Sequence, residues 1–185
     1  MTAANGRLVL VTGPSGVGKD SLMDGLRAAL SGRDDVVFPR RTITRAAGLG
    51  GEDYIAVSES EFAVMVARGA FALFWPAHGL QYGVPASIDA DLGAGRQVVV
   101  NVSRGVIDEA RAKYPGLLVL AINASPEVLR SRLQGRGRES AAGIEARLQR
   151  AAAFRLDGTD VVQISNDGSL AEGVAALMTL LQKCA

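Results

Sequence analysis

The chain has 185 residues, 48% hydrophobic and 21% charged, a length and balance that fit one globular domain with a sizeable core. Lys and Arg number 20 against 19 Asp and Glu, so the net charge of +1 offers no global attraction to nucleic acid or to an anionic membrane, and any basic site has to be local. The single cysteine, Cys184, excludes an internal disulfide, and neither residues 1–7 nor any apolar run has the layout of a secretory signal or a membrane span, so a cytoplasmic protein without membrane or nucleic-acid partners is expected.

Apolar segments of strand length alternate with longer segments of helical period, the pattern of a parallel sheet covered by helices. The first strand is predicted at 8–11 and the first helix at 19–30. Between them runs Gly13-Pro14-Ser15-Gly16-Val17-Gly18-Lys19-Asp20-Ser21, in which Gly13, Gly18 and Lys19 have the Gly-x-x-x-x-Gly-Lys spacing of a phosphate-binding loop. In such a loop backbone N–H groups turn inward on phosphate oxygens, the helix N-terminus adds a positive field, and the Lys reaches the outer phosphates. The position after the Lys usually carries a hydroxyl that meets Mg²⁺; here it is Asp20, with Ser21 next.

Residues 40–57, rich in Arg, Thr and Gly, and residues 69–85, rich in aromatics and Gly-bearing turns, flank a helix predicted over 59–68. Together they read as an inserted β-rich lobe of about 40–85 in a single domain whose core is 1–39 and 86–185. Ser58-x-x-Glu61 has the form of a capping box at the start of that helix. The next strand, 97–102, carries Asn101 near its end, where a kinase commonly places a metal-binding acid. Asp20 is therefore expected to supply the metal-side carboxylate, with Ser21 as helper; the plainer alternative is that Asp20 only favours the helix N-terminus.

Helices at 105–113, 126–134, 141–155 and 170–182 and strands at 117–122 and 161–164 complete the alternation. Ser125-Pro126-Glu127 reads as an N-cap, a Pro at the first helical position and an acid in the first turn. Residues 134–140, dense in Gly and Arg (Arg136, Arg138), read either as a basic lid extending to about 147 or as a solvated loop.

The loop Gly-Pro-Ser-Gly-x-Gly-Lys, Thr42-Ile-Thr44-Arg45, Asp53-Tyr54, His78-Gly-x-x-Tyr82-Gly83, Leu133-x-x-Arg136, Ile144-x-x-Arg147 and Asn166-Asp167 together resemble the guanylate kinase family over most of the chain. The resemblance implies an α/β fold of the P-loop NTPase type with a small acceptor lobe and an Arg-rich lid, and ATP with Mg²⁺ as phosphoryl donor. It implies that Gly13 to Ser21 and Asn166 bind ATP, that Lys19, Asp20, Arg136 and Arg147 serve transfer, and that Thr44, Arg45, Asp53 and Tyr82 line the acceptor side.

The base-reading positions depart from the family. Arg41 stands where the family has a guanine-contacting Ser, Leu73 where it has an acid, Val84 where it has Ser or Thr, and residues 46–51 form a shortened loop without the second substrate-binding Arg. A site that hydrogen-bonds a purine edge loses discrimination by orders of magnitude when those contacts go. Arg40, Arg41, His78 and Arg104 suggest instead an anion pocket for an acceptor with a phosphate at each end. With Gly-Lys-Asp-Ser at 18–21, Gly-Gly-Glu-Asp at 50–53 and Arg-Gly-Arg-Glu-Ser at 136–140, the chain is similar to a branch of the family that acts on a sugar bisphosphate.

An acceptor phosphate is already largely anionic at neutral pH, its second proton leaving near pH 6, so no general base is needed. His78 is then either a phosphate or hydroxyl contact or a structural hydrogen bond, and Arg104 either an acceptor contact or a solvated helix-start residue. Trp75 is expected in the core and Tyr82 at the site. Two other readings stay open: a guanylate or other nucleoside monophosphate kinase, and a non-catalytic binding module. The sequence leaves a homodimer open as well.

Overall fold

The computed structural model describes residues 6–46, 52–135 and 140–183. In chain order the elements are β1 (Leu8–Thr12), α1 (Lys19–Ala29), β2 (Val36–Val37), β3 (Arg41–Ile43), β4 (Tyr54–Ala56), α2 (Glu59–Ala67), β5 (Phe71–Ala77), β6 (Leu80–Pro85) and α3 (Ile88–Gly93). They continue with β7 (Gln97–Asn101), a 3₁₀ turn (Arg104–Val106), α4 (Ile107–Lys113), β8 (Leu118–Asn123), α5 (Pro126–Gly135), α6 (Ala141–Ala152), β9 (Val161–Ser165) and α7 (Leu170–Lys183). The fold is α/β: a five-stranded sheet of order β2-β7-β1-β8-β9 and a four-stranded sheet of order β4-β3-β6-β5. The strands β1 (LVLVT), β7 (QVVVN) and β8 (LVLAIN) are near-continuous runs of aliphatic residues, as a strand covered on both faces requires, and all but Asn101 and Asn123 at their ends are buried.

The described residues fall into two compact units, one reaching to Leu10 and including Gly32–Leu118, the other made of Val11–Ser31 with the chain from Val119 onward. The expected lobe boundaries at 39/40 and 85/86 do not coincide with this division. In the first unit, β2 pairs parallel with β7, and the small sheet is mixed, with β3–β4 parallel and β3–β6 and β5–β6 antiparallel. His78 (φ +53°) and Gly79 (φ +74°) turn the β5–β6 hairpin, two left-handed residues whose twist matches that of the strands they join. Ser58 makes the predicted capping box with Glu61 at the start of α2, and Phe62 of that helix stacks on Phe71 of β5 with ring centroids 4.7 Å apart.

In the second unit β8 and β9 pair parallel over Val119↔Val161 to Asn123↔Ser165. The faces of α5 and α6 meet through Leu129, Leu133, Ile144 and Leu148, one apolar cluster spaced at helical intervals. Ser125 Oγ accepts from Val128 N at 3.3 Å, the predicted cap of α5. Two predicted helices are shorter than their patterns. The one expected from 105 opens as a 3₁₀ turn, Gly105 being a poor helix former, and the one expected to reach 155 ends at Ala152, where the Arg155 side chain takes over the carbonyls of Ala152 and Phe154. Among the described residues no helix is long and apolar enough to cross a membrane.

Candidate active site

In the second unit, β1 delivers the chain into the phosphate loop and Lys19 opens α1. Gly18, the residue before α1, sits at φ +96°, and a Cβ there would lie 2.7 Å from Asn166 Nδ2, so both backbone angle and space require glycine. Lys19 Nζ donates to the carbonyls of Gly13 (2.8 Å) and Pro14 (3.0 Å), which folds the amine back across its own loop. Val17 is fully buried, and its carbonyl accepts from Asn166 Nδ2 at 2.8 Å and from Arg132 Nη1 at 3.2 Å. Arg147 of α6 donates from Nη1 to Ser15 Oγ at 2.9 Å. Three separate elements, α5, α6 and the turn after β9, thus each place one side chain on the loop.

Asn166 is one of the residues expected to bind ATP. Its amide nitrogen is committed to the loop carbonyl, its backbone N–H goes to Asn123 O at 2.8 Å, and it is only 5% exposed, so it braces the loop. The adjacent Asp167 accepts from Ser165 Oγ and from the backbone N–H of Ser125, and these bonds, with the charge of Arg132 adding a smaller share, hold its carboxyl below the usual range. Asp20 and Ser21 lie exposed in the first turn of α1. A cavity of about 560 Å³ opens beside Pro14, walled by Leu129 and Leu148 and by the amides of Asn123 and Gln163, which bond to one another at 3.2 Å. Arg132 escaped the sequence reading, although it lies in the helix predicted over 126–134, just before the Arg-rich segment 134–140. Arg136 itself, with Arg138, Gly50, Gly51 and Cys184, lies outside the described residues.

In the first unit, the expected anion pocket is rearranged. Arg41, at the start of β3, is 7% exposed, and its Nε and Nη2 grip both oxygens of Glu52, the Nε bond being 3.0 Å. Its guanidinium lies over the rings of Tyr82 (5.2 Å) and Trp75 (5.8 Å). Those two rings are opposed on β6 and β5 and stack 5.7 Å apart at an interplanar angle of 8°. The charge of Arg41 is therefore already offset within the lobe, contrary to its expected role as a cation presented to the acceptor. Arg40 is likewise bridged to Asp53 at 2.9 Å, with both side chains exposed. The shared cause is the register of β3 and β4: Arg41 pairs with Tyr54 in parallel, which sets residue 53 beside Arg40 and residue 52 one step further back, within reach of the Arg41 side chain.

Arg45 lies over the Tyr54 ring at 4.4 Å, and the Thr44 hydroxyl accepts from Gln81 N at 2.8 Å. His78 is at the exposed tip of the β5–β6 hairpin, where its backbone makes the turn. Arg104 is exposed at the 3₁₀ turn before α4. Leu73 and Val84 are fully buried and face each other across the hairpin, closing with hydrocarbon the two positions where base-reading polar residues would stand.

A phosphate loop that leaves β1, opens α1 and is braced by Arg132 and Arg147 has the layout of a P-loop phosphotransferase. The model of the guanylate kinase family matches residues 5–183, and the chain belongs to that family. A crystal structure of guanylate kinase from Anaplasma phagocytophilum superposes with a TM-score of 0.70 at 19% identity, covering 97% of this chain and 86% of that one, which shows the shared fold. Within the family the chain is similar to proteins named ribose 1,5-bisphosphate phosphokinase PhnN. The one from Rhizobium etli is 45% identical over 97% of this chain and 91% of its own length. The one from Acidiphilium cryptum is 49% identical over 97% and 94%.

Proposed function

We propose that the protein transfers the γ-phosphoryl group of ATP to the 1-phosphate of ribose 1,5-bisphosphate, giving ADP and 5-phosphoribosyl 1-diphosphate. The observation that carries this reading is the near full-length similarity, at 45% and 49% identity, to relatives named for that reaction. The hydrocarbon pair Leu73 and Val84 agrees with it, because a guanine edge would find no hydrogen-bond partner there.

The nucleophile is a phosphate oxygen that is already anionic, so the residues have to align two phosphates and offset charge on the group in transit. Lys19 leaves the carbonyls of Gly13 and Pro14 for the β- and γ-phosphates, and the loop N–H groups take the remaining oxygens. Arg132 and Arg147 work from the loop side, Arg136 from the lid. Arg45, Thr44 and Tyr82 hold the acceptor. Mg²⁺ carried by a nucleotide takes only one or two protein oxygens. The Asp20 carboxylate and Ser21 hydroxyl, exposed and consecutive in the first turn of α1, fit such an ion, and Asn101 at the end of β7 leaves the carboxylate to Asp20. Held by Asp20 and Ser21, such an ion would supply positive charge to neutralise what develops on the transferred group.

ADP release measured in parallel with ribose 1,5-bisphosphate and with GMP tests the proposal. Turnover of the sugar bisphosphate with GMP inert is the expected result; turnover of GMP alone would overturn it in favour of a nucleoside monophosphate kinase.

A further inference from the structure

The Arg41–Glu52 pair is left over by the reaction just described. A guanidinium committed by two donors to one carboxylate cannot also offer those donors to a phosphate, and removing such a pair from water costs more than a surface contact needs. Glu52 belongs to the Gly-Gly-Glu-Asp stretch at 50–53 that marks the branch, and the reaction assigns it no role. Its effect is geometric: it holds the Arg41 guanidinium against the rings of Tyr82 and Trp75, which stack across the hairpin.

We infer that Glu52 is a positioning residue for the acceptor: through Arg41 it fixes the Tyr82 ring, and the guanidinium that it pins closes one face of the Trp75–Tyr82 pair to a planar base. The inference rests on the proposed function for the identity of the acceptor and for the contact of the Tyr82 hydroxyl with its phosphate. Arg41 changes role accordingly, from a phosphate ligand to the link between Glu52 and Tyr82. The Gly-Gly-Glu-Asp stretch at 50–53 then has a physical reason to carry its Glu: β4 begins two residues later in parallel register with β3, and residue 52 is the one that meets Arg41.

Trp75 is the only tryptophan, so its emission reports the stack directly. Glu52→Gln keeps the size of the side chain but loses the charge-assisted grip, worth roughly a tenfold or greater change in any equilibrium that depends on it. The expected results are a changed Trp75 emission without substrates, a KM for ribose 1,5-bisphosphate raised about tenfold, and kcat and the KM for ATP within about twofold of the unmodified protein. Glu52→Asp, which keeps the charge, recovers part of both effects. Combining Glu52→Gln with Tyr82→Phe separates positioning from general loosening, because the KM penalty of Glu52→Gln shrinks in the Tyr82→Phe background if it acts through Tyr82. Unaltered Trp75 emission, full additivity of the two substitutions, or a joint fall of kcat with both KM values rising would each overturn the inference. If the unmodified protein does not use the sugar bisphosphate, the proposed function fails, while the Trp75 emission of Glu52→Gln still decides whether Glu52 holds the stack.

Discussion

Arg147 Nη1 lies 2.9 Å from Ser15 Oγ, which ties α6 to the third residue of the phosphate loop before any nucleotide is bound. The guanidinium is thereby held beside the loop on which the γ-phosphate is to sit. Removing one such preorganised donor from a transfer site costs about 10²–10³ in kcat. Arg147→Ala is expected to show a loss of that size in ADP release, and Arg147→Lys to recover little of it, since a lysine lacks the fork that can span a hydroxyl and a phosphate. Ser15→Ala, which removes only the resting partner, should lower kcat less than about tenfold. An Arg147→Ala enzyme with near-normal kcat would place the side chain outside the transfer step.

Asn166 carries a different load. Its amide supplies the shorter of the two bonds to the buried Val17 carbonyl. Asn166→Ala leaves that carbonyl to Arg132 alone, and an unmade buried hydrogen bond costs about 1–3 kcal/mol. Thermal unfolding should fall by roughly 2–4 °C for each kcal/mol in a chain of this size, with a raised KM for ATP. Asn166→Asp should be worse than Asn166→Ala, because it sets an acceptor against an acceptor. Equal melting temperatures for the three proteins would mean that the loop does not depend on this bond.

The α/β alternation, the phosphate loop and the two helix caps at Ser58 and Ser125 were legible in the sequence because each depends on neighbours within a few residues. The Arg41–Glu52 grip and the Arg132–Val17 bond were not, because they join residues 11 and 115 positions apart through strand register and loop closure. The turn at His78 was not legible either: the position takes a left-handed backbone at the hairpin, which His tolerates better than most residues. Nor were the partners of Arg40 and Arg41 legible, since Asp53 and Glu52 reach them only when β4 pairs with β3.

Asp167 gives the chain a specific acid sensitivity. Its carboxyl is held below the ordinary value of 3.8, first by the Ser165 hydroxyl and then by the Ser125 backbone N–H. A carboxyl lowered in the folded state contributes stability that is present above its unfolded value and lost as pH falls through its folded value. Asp167→Asn should therefore be less stable than the unmodified protein at pH 7, and the gap should narrow as pH falls below about 4, the ordinary carboxyl value, toward the lower folded one. Melting curves at pH 7 and pH 3 check this; a gap that stays constant would assign the Asn effect to packing.

The metal reading separates two adjacent residues. If Asp20 supplies the carboxylate for Mg²⁺ and Ser21 only assists, Asp20→Ala should raise the Mg²⁺ concentration for half-maximal activity by about tenfold or more, a penalty typical of losing a group that orients a bound metal. Ser21→Ala should shift it by less than about threefold on the same scale. Asp20→Asn, which keeps an oxygen but loses the charge, should fall between Asp20→Ala and the unmodified protein. Identical Mg²⁺ titrations for the Asp20 and Ser21 variants would reduce Asp20 to a helix N-terminal acid.

Leu73 and Val84 decide whether this chain can be returned to base recognition. They face each other across the β5–β6 hairpin and both are fully buried. Leu73→Glu would set a carboxylate in a fully buried position opposite the hydrocarbon of Val84, a burial that costs several kcal/mol or forces the group to hold its proton. Adding Val84→Ser supplies one hydroxyl, too little to solvate the charge. The double variant should melt at least about 6 °C below the unmodified protein and gain no activity on GMP, whereas Leu73→Met, close in volume, should stay within about 1.5 kcal/mol of it. A stable Leu73→Glu/Val84→Ser protein that phosphorylates GMP would show that the two side chains face a ligand. Failure of the pair to confer that activity, with Leu73→Met intact, would mean that the hairpin has exchanged its base contacts for core packing, which two substitutions cannot reverse.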